Sequence, residues 1–141
     1  MPGLSLDIVT AEREVFPLED VDAVTLPAAG GELTILPHHA SLLTLLQAGV
    51  MRVTRRGGVV ELAITGGFAE IHGSKLRVLA DAAERSEEID LARAQAAEAR
   101  AKALLADPSQ IREGPAAAEM LRRSQVRLKV ARRRRADGSS G

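Results

Sequence analysis

The feature that most constrains this chain is a change in hydrophobic period near residue 84. Before that point apolar residues alternate with polar ones, as in the segment that carries Leu4, Leu6 and Ile8. A period of two places one face of an extended strand against a core. After that point alanine dominates, and apolar residues recur at helical intervals of three and four. The sequence therefore predicts a β-part over residues 1–85 and a helical part that begins at residue 86.

Glycine pairs separate the predicted strands of the first part. They are Gly30–Gly31, Gly57–Gly58 and Gly66–Gly67, and each is interpreted as a hairpin turn. The short spacing between them leaves no room for helices, which indicates antiparallel strands in a β-sandwich or a barrel.

The helical part is predicted to form two helices with a turn between them. Ser86 is the expected N-cap, Asp107–Pro108 ends the first helix, and the second helix starts after Pro115. The apolar stripes are Ile89, Ala92, Ala96, Ala99, Ala103 and Ala106 in the first helix, and Ala117, Leu121, Ser124, Leu128 and Ala131 in the second. They predict an antiparallel hairpin over residues 86–136, followed by a flexible tail at residues 137–141. An alanine seam buries little area, so we expect the hairpin to depend on docking and to be able to detach.

Residues typical of catalytic and metal sites are scarce. Cysteine is absent, and the only histidines are His38, His39 and His72. Adjacent residues of an extended chain point to opposite sides, so no metal site is predicted. The glycine pairs do not match a phosphate-binding loop, and no nucleophile has a supporting base, which predicts a non-catalytic protein. No signal peptide or membrane-spanning run is recognisable, so we expect a soluble protein.

Charge is distributed unevenly along a chain whose formal net charge is zero. Residues 81–98 are mainly acidic, and the C-terminal part is basic through Arg122, Arg123, Arg127, Lys129, Arg132, Arg133, Arg134 and Arg135. A solvated helix face and a contact with an acidic partner or anion both explain such a run. With two Phe and no Tyr or Trp, aromatic stacking on nucleic acid or sugars is not expected.

Arginines share faces of the two predicted helices. Asp90, Arg93 and Arg100 lie on one face of the first helix, and Arg123 and Arg127 are neighbours on the second. In a folded hairpin these arginines would approach one cleft and bind a polyphosphate. The alternative is that they extend into water and pair with acids such as Glu98 or Glu119. Spacing alone favours this second interpretation.

Three stretches together resemble the epsilon subunit of bacterial F-type ATP synthases. They are GELTILPHHASLL at 31–43, TGGFAEIHGSKLRVLADAAERSEEIDLARA at 65–94 and RSQVRLKVA at 123–131. The resemblance implies an all-β sandwich of about ten strands followed by a mobile antiparallel two-helix hairpin. It also implies a non-catalytic rotor subunit of the central stalk, peripheral on the cytoplasmic face of the bacterial cell membrane. Its partners would be the γ subunit, the c-ring and the catalytic α/β ring, and the hairpin would inhibit ATP hydrolysis.

The resemblance also implies roles for individual residues. The I-D-x-x-R-A signature of members that bind ATP is met by Ile89, Asp90, Arg93 and Ala94. Further matches to that nucleotide site are Glu84, Arg100, Arg123 and Arg127. ATP would then be a regulatory ligand rather than a required cofactor. Glu32 and His39 match family positions that approach the c-ring, and the basic second helix would be the inhibitory arm.

A second function class is compatible with the same residues. A β-sandwich adaptor could use a basic helical arm to bind nucleic acid or an anionic membrane. A neutral net charge and the near absence of aromatic residues count against it.

Overall fold

The computed structural model describes residues 3–11, 14–109 and 114–140, with the side chains of 14–16 and 133–140 left out of the description. The chain divides into two compact units, Met1–Arg85 and Ser86–Gly141. The first unit is a sheet and the second is helical, which agrees with the change in period along the sequence.

The described residues of the first unit form eight strands. They are β1 (Leu4–Val9), β2 (Glu14–Val21), β3 (Ala23–Ala28), β4 (Gly31–Ile35), β5 (His39–Arg55), β6 (Gly58–Gly73), β7 (Lys75–Ala80) and β8 (Ala83–Arg85). Their order is β2-β1-β7-β6-β5-β3-β4, and β8 pairs with β6. All neighbours are antiparallel except β1 and β7, which run parallel.

Two long strands account for the difference between the ten strands expected and the eight observed. β5 has 17 residues and β6 has 16, and they pair from His39–Gly73 to Arg55–Gly58. The first half of β6 also pairs with β8, whereas its second half pairs with β7. Each long strand therefore belongs to both layers of the β-sandwich-like sheet. The sandwich prediction is confirmed, with eight strands in the described residues where about ten were expected.

Gly66–Gly67 lies inside β6, so its prediction as a hairpin turn is wrong. Both residues have φ of +120°, which only glycine adopts readily. A side chain on Gly67 would collide with the carbonyl oxygen of Leu79 in the neighbouring strand. The pair thus marks the point where β6 passes from one set of neighbours to the other. Gly57, in contrast, does lie in a turn, with Arg56 at φ 52° and Gly57 at φ 77°, as a type I′ hairpin requires.

One apolar core holds the sheet together. Leu6, Val24, Leu62, Ile64 and Val78 are each at most 1% exposed, and they come from strands distributed along the whole unit. The alternation seen in the sequence places them inward, since β1 alternates buried and half-buried residues throughout.

The second unit begins with a 3-10 turn at Ser86–Glu88 and continues as α1 (Leu91–Ala106) and α2 (Gly114–Ser140). The N-cap of α1 is Asp90, not Ser86 as predicted, because the 3-10 turn separates Ser86 from the helix. Residues 137–140, predicted as a flexible tail, continue α2. The segment contains no proline to end the helix, and Gly138 alone weakens it by only about 1 kcal/mol.

The two helices pack against each other. Of the stripe predicted for the first helix, Ile89 is buried just before α1 begins, but the alanines predicted within α1 are wrong. Its buried residues are Ala94 and Ala101, whereas the predicted Ala92, Ala96, Ala99, Ala103 and Ala106 are exposed. The stripe of α2 is confirmed, since Ala117, Ser124, Leu128 and Ala131 are buried and Leu121 is half-buried. The prediction succeeded for α2 because its leucines lie on one face. It failed for α1 because almost every face of that helix carries alanine.

A local hydrogen-bonded turn follows α1. The backbone N–H and the hydroxyl of Ser109 donate to Asp107 Oδ1 at 2.9 and 2.7 Å. These two bonds, the hydroxyl bond first, hold the pKa of the Asp107 carboxyl below its ordinary value. The turn therefore favours the charged form of the residue that ends the helix.

Replacing Gly67 by alanine tests the crossing in β6. We expect a loss of about 2 kcal/mol or more in the free energy of unfolding, because the new side chain meets backbone and φ is left-handed. The measurement is urea unfolding of the full chain, with Gly30→Ala as the control. A methyl group on Gly30 meets nothing within 4 Å, so that variant should change stability by less than about 0.5 kcal/mol. Equal stabilities of the two variants would contradict the assignment.

Candidate functional site

The outward face of strands β1, β7, β6 and β5 carries a row of apolar side chains. Cross-strand pairing places Val9 opposite Leu79, Leu79 opposite Phe68, and Phe68 opposite Leu45. Leu45 is 67% exposed and Phe68 is 41% exposed, and Leu43, two residues before Leu45 on the same face, is 67% exposed. We call Val9, Leu43, Leu45, Phe68 and Leu79 the apolar row. An exposed apolar surface of this kind is typical of a protein–protein contact.

A charged row lies beside the apolar row on the same face. The register places Asp7 opposite Arg77 and Arg77 opposite Glu70, and the Nε atom of Arg77 lies 3.6 Å from Asp7 Oδ2. Together with His72 and Lys75, these residues line a cleft of about 220 Å³. One face of the sandwich thus changes from apolar to charged within the width of two residue rows.

The sandwich residues proposed for the c-ring contact occupy different parts of the sheet. Glu32 Oε2 accepts a hydrogen bond from Arg52 at 3.2 Å, an ion pair that the sequence did not predict. His39 begins β5, and its Nδ1 bonds the carbonyl of Ala40 at 2.7 Å. Gly31, next to Glu32, pairs with Ala28, which pairs with Leu46. Leu46 is seven residues along β5 from His39, or roughly 20 Å of extended strand, so the register does not bring Glu32 and His39 together.

The I-D-x-x-R-A signature shapes the start of the hairpin. Ile89 is 9% exposed and Ala94 is fully buried. Asp90 has extended backbone angles, and its Oδ1 accepts a hydrogen bond from the backbone N–H of Arg93 at 3.1 Å. This is the geometry of a side-chain N-cap, which satisfies a donor that the helix itself leaves unpaired. The signature therefore has a structural role in addition to any role in binding.

The predicted site arginines differ in environment. Arg93 and Arg100 are exposed on α1, while Arg127 on α2 is half-buried. Glu119 pairs with both Arg122 and Arg123, at 3.2 and 3.3 Å. The pairing predicted as the alternative to ligand binding is therefore present for Arg123, although Glu98 pairs with Lys102 instead.

The other predicted residues are placed as follows. Glu84 belongs to the first unit, where it pairs with Ala63 in the sheet. Lys129 and Arg132 are exposed on α2. The side chains of Arg133, Arg134 and Arg135 lie outside the described residues.

Helix geometry places the four site arginines on one side of the hairpin. Arg93, Arg100, Arg123 and Arg127 each directly precede a buried residue, namely Ala94, Ala101, Ser124 and Leu128. A residue one position before the buried one is rotated by about 100° from it. The second helix of an antiparallel pair runs in the opposite direction and faces its partner with the opposite side. These two reversals cancel, so the four arginines lie on the same side of the helix pair.

The outward face of the sandwich was not predicted from the sequence. A signal was present in the run LLTLL at 42–46, where leucines occupy both faces of one strand. Only half of them are needed for the core. The residues of the charged cleft come from three strands, so no short stretch of the sequence predicted the cleft.

Comparison with known proteins identifies the family. A sequence model described as the β-sandwich domain of the ATP synthase delta/epsilon chain matches residues 3–86. A protein of Dehalococcoides mccartyi named ATP synthase epsilon chain is 51% identical over 138 residues, which cover 96% of each chain. The chain belongs to the ATP synthase epsilon chain family. An epsilon chain of Herpetosiphon aurantiacus is 42% identical over 132 residues, covering 94% of this chain and 96% of the relative.

Chains of known structure share the fold of this protein. A chain in the mitochondrial ATP synthase of Euglena gracilis, a complex of OSCP, F1 and c-ring, superposes with a TM-score of 0.69 at 21% identity, covering 96% of this chain and 81% of that one. A chain in the central stalk and c-ring of Tetrahymena thermophila mitochondrial ATP synthase gives 0.59 at 15% identity, covering 91% and 96%.

Family membership makes this chain a subunit of an ATP synthase, a peripheral part of a membrane complex. Within the described residues, no helix is long and apolar enough to cross a membrane. In the same part of the chain, no group of three or more His, Asp or Glu residues is arranged to hold a metal.

Replacing Asp90 tests its role as a cap. We expect Asp90→Ala to destabilise the hairpin by about 1 kcal/mol, whereas Asp90→Asn should cost only a few tenths because asparagine caps equally well. Amide hydrogen exchange in the first turn of α1 measures the effect. If Asn and Ala were equally destabilising, the charge of Asp90 rather than the cap would be responsible.

Proposed function

We propose that this chain is the epsilon subunit of the central stalk, the rotor of an F-type ATP synthase, in which it couples ion-driven rotation to ATP synthesis. The observation that carries the proposal is the exposed apolar row on a sandwich that matches epsilon chains along its length. A non-catalytic coupling subunit needs such a docking surface. The proposed location is the cytoplasmic face of the bacterial cell membrane, and the proposed partners are the γ subunit, the c-ring and the α/β ring.

The apolar row is the proposed docking surface for the γ subunit. Leu43, Leu45 and Phe68 stand outward from a sheet whose core is already filled by other side chains. Burying these side chains against a partner would remove apolar surface from water. This stabilises the complex by about 25 cal/mol per Å² of buried apolar surface. The charged row at its edge would then supply a polar rim, as protein interfaces commonly have.

The end of the sandwich that carries His39 is the proposed contact with the c-ring, and Glu32 is the second residue implied by the family resemblance. Glu32 already pairs with Arg52, and both side chains are partly exposed. A partner would therefore meet a paired carboxylate rather than an isolated one, which lowers the cost of desolvating it.

The hairpin is the proposed regulatory element, with ATP as its ligand. The proposed nucleotide site consists of Glu84, Ile89, Asp90, Arg93, Ala94, Arg100, Arg123 and Arg127. The support is the placement of the four arginines on one side of the helix pair. Guanidinium groups form bidentate bonds with phosphates. Ala94 is buried and has a small side chain, which allows the two helices to approach each other closely.

The proposed mechanism is a brake with two positions. In the folded position the hairpin holds ATP. In the extended position the basic α2 reaches acidic surfaces of the catalytic ring and opposes rotation in the direction of hydrolysis. ATP at about 100 times its dissociation constant stabilises the folded form by roughly 2.7 kcal/mol. A fall in ATP therefore releases the inhibitory arm at the time when hydrolysis would be most wasteful.

Replacing Leu45 by serine tests the γ contact. We expect the dissociation constant for the γ subunit to rise by roughly 30-fold, because an exposed anchor of about 2 kcal/mol is lost. Val59→Ser is the matched control, since Val59 is 58% exposed but pairs with Thr54 in the other half of the long strands. Binding by surface plasmon resonance is the measurement, and equal losses for both variants would contradict the assignment.

Replacing Arg93 and Arg127 together by alanine tests the nucleotide site. Calorimetric titration of the full chain with Mg-free ATP should show saturable binding that GTP does not reproduce, and the double variant should lose affinity by more than tenfold because two phosphate contacts are removed. Arg122→Ala is the control, since Arg122 pairs with Glu119 and lies outside the proposed site.

A variant that binds ATP as tightly as the unaltered chain would exclude these two arginines from the site. In the assembled complex, removal of residues 86–141 should raise ATP hydrolysis. An unchanged hydrolysis rate would contradict the brake but leave the stalk role in place.

A further inference from the structure

Asp81 lies beside the apolar row, on the side opposite the charged row. Leu79, a member of the apolar row, is half-buried, Ala80 is 6% exposed and Asp81 is exposed. The backbone N–H of Asp81 donates to the carbonyl oxygen of Gly66 at 3.0 Å, so the pairing of β7 with β6 continues one residue beyond the end of β7. Because alternate residues of a strand point to opposite sides, the side chain of Asp81 lies on the same outward face as Leu79.

Gly66 leaves room for the carboxylate of Asp81. A Cβ atom on Gly66 would lie 2.9 Å from Asp81 Oδ2 and 3.8 Å from its Cγ, which is too close for a side chain at position 66. The carboxylate therefore lies against the backbone of β6, two residues before Phe68. The missing side chain at Gly66 thus allows a charged group to lie directly beside the apolar row.

The carboxylate of Asp81 has no partner among the described residues. The hydrogen bond described for Asp81 is that of its backbone N–H, and the ion pairs of the described residues do not include it. On the other side of the apolar row, Asp7 and Arg77 form an ion pair. In the described part of the chain, one side of the apolar row therefore carries both signs of charge, and the other side carries an unpaired carboxylate.

A partner that covers the apolar row would also remove water from this carboxylate. Burying a carboxylate is costly unless it gains hydrogen-bond donors. A lysine or arginine side chain supplies a charged donor, and an arginine can bond both carboxylate oxygens. Apolar contact is non-directional, so the apolar row alone does not fix the orientation of a partner. A negative charge on one side of the row does fix it.

We propose that Asp81 determines the specificity of the γ contact by binding a lysine or arginine side chain of the γ subunit, an inference that rests on the proposed stalk function. The matching surface of γ presents apolar side chains to Leu45 and Phe68. Its cation lies about two residues of extended strand, or roughly 7 Å, to one side of them. Gly66 acts through Asp81, since it leaves the space that the carboxylate occupies.

Binding of the full chain to immobilised γ subunit, measured by surface plasmon resonance at about 50 mM and about 500 mM salt, tests the inference. We expect Asp81→Asn to raise the dissociation constant by about 30-fold at low salt, because the cation of γ loses its carboxylate. The loss should be severalfold smaller at high salt, where charges at the rim of an interface are screened. Asp81→Lys should weaken binding at low salt by about 100-fold or more, because it brings like charges together.

Asp20→Asn is the matched control. Asp20 is exposed, and asparagine tolerates its left-handed φ of 56°. Its neighbour Val21 pairs with Leu4, and the length of β1 from Leu4 to Val9 separates that position from the apolar row by roughly 17 Å. This variant should bind γ with unchanged affinity at both salt concentrations, and urea unfolding verifies that each variant is folded.

Unchanged affinity of Asp81→Asn overturns the inference. A loss that is equal at both salt concentrations also overturns it, since this would indicate a neutral donor, and tighter binding of Asp81→Lys is equally incompatible with it. If Leu45→Ser weakens binding whereas Asp81→Asn does not, the γ contact stands and the role of Asp81 is excluded. Absence of γ binding by the unaltered chain would overturn both the inference and the proposed γ contact.

Discussion

Backbone pairing between β5 and β6 is the interaction on which the rest of the first unit depends. The two strands pair along nearly their whole length, and β3, β7 and β8 attach to different halves of them. The core forms because these attachments bring apolar faces of both halves together. The outward rows are a consequence of the same register, since alternate residues of a strand point to opposite sides. A shift of one residue would bury Leu45 and expose Leu46.

The second unit is stabilised in a different way. Most of the buried residues in its two helices are alanine or serine, so the hairpin buries little apolar area for its length. Local interactions at the helix ends therefore matter more, such as the cap by Asp90 and the hydrogen-bonded turn at Asp107. Both are formed within a few residues, and neither requires contact with the sheet. Such a hairpin can keep its helices while its environment changes, as the proposed brake requires.

The period of the sequence was sufficient to predict the two kinds of secondary structure and the sandwich. The hydrophobic period failed where several faces of a helix carry the same type of residue. Alanine occupies most positions of α1, so the pattern did not distinguish the buried Ala94 from the exposed Ala92, whereas leucine marked the seam of α2. Gly66–Gly67 resembled a turn because a glycine pair indicates unusual φ angles. It does not indicate whether the chain reverses its direction there.

The candidate sites were predictable to different degrees. The arginines of the hairpin were found because their spacing is local to each helix, and the family resemblance named the same positions. The Glu32–Arg52 pair and the charged cleft depend on strand register, which joins residues distant in sequence. Ile89 and Ala94 are buried and Asp90 caps α1, so the signature contributes to the structure of the hairpin whether or not a nucleotide is bound.

The position of two proposed contacts on one half of β5 has a mechanical consequence. In the proposed stalk, the apolar row and the end of the sandwich that carries His39 take load from different partners, and the first half of β5 carries residues of both. Force applied at one contact therefore passes to the other along the covalent backbone of a single strand. Hydrogen bonds to β6 share the shear. Torque between the two partners would then be carried within one layer, and the packing between the layers would not have to resist sliding.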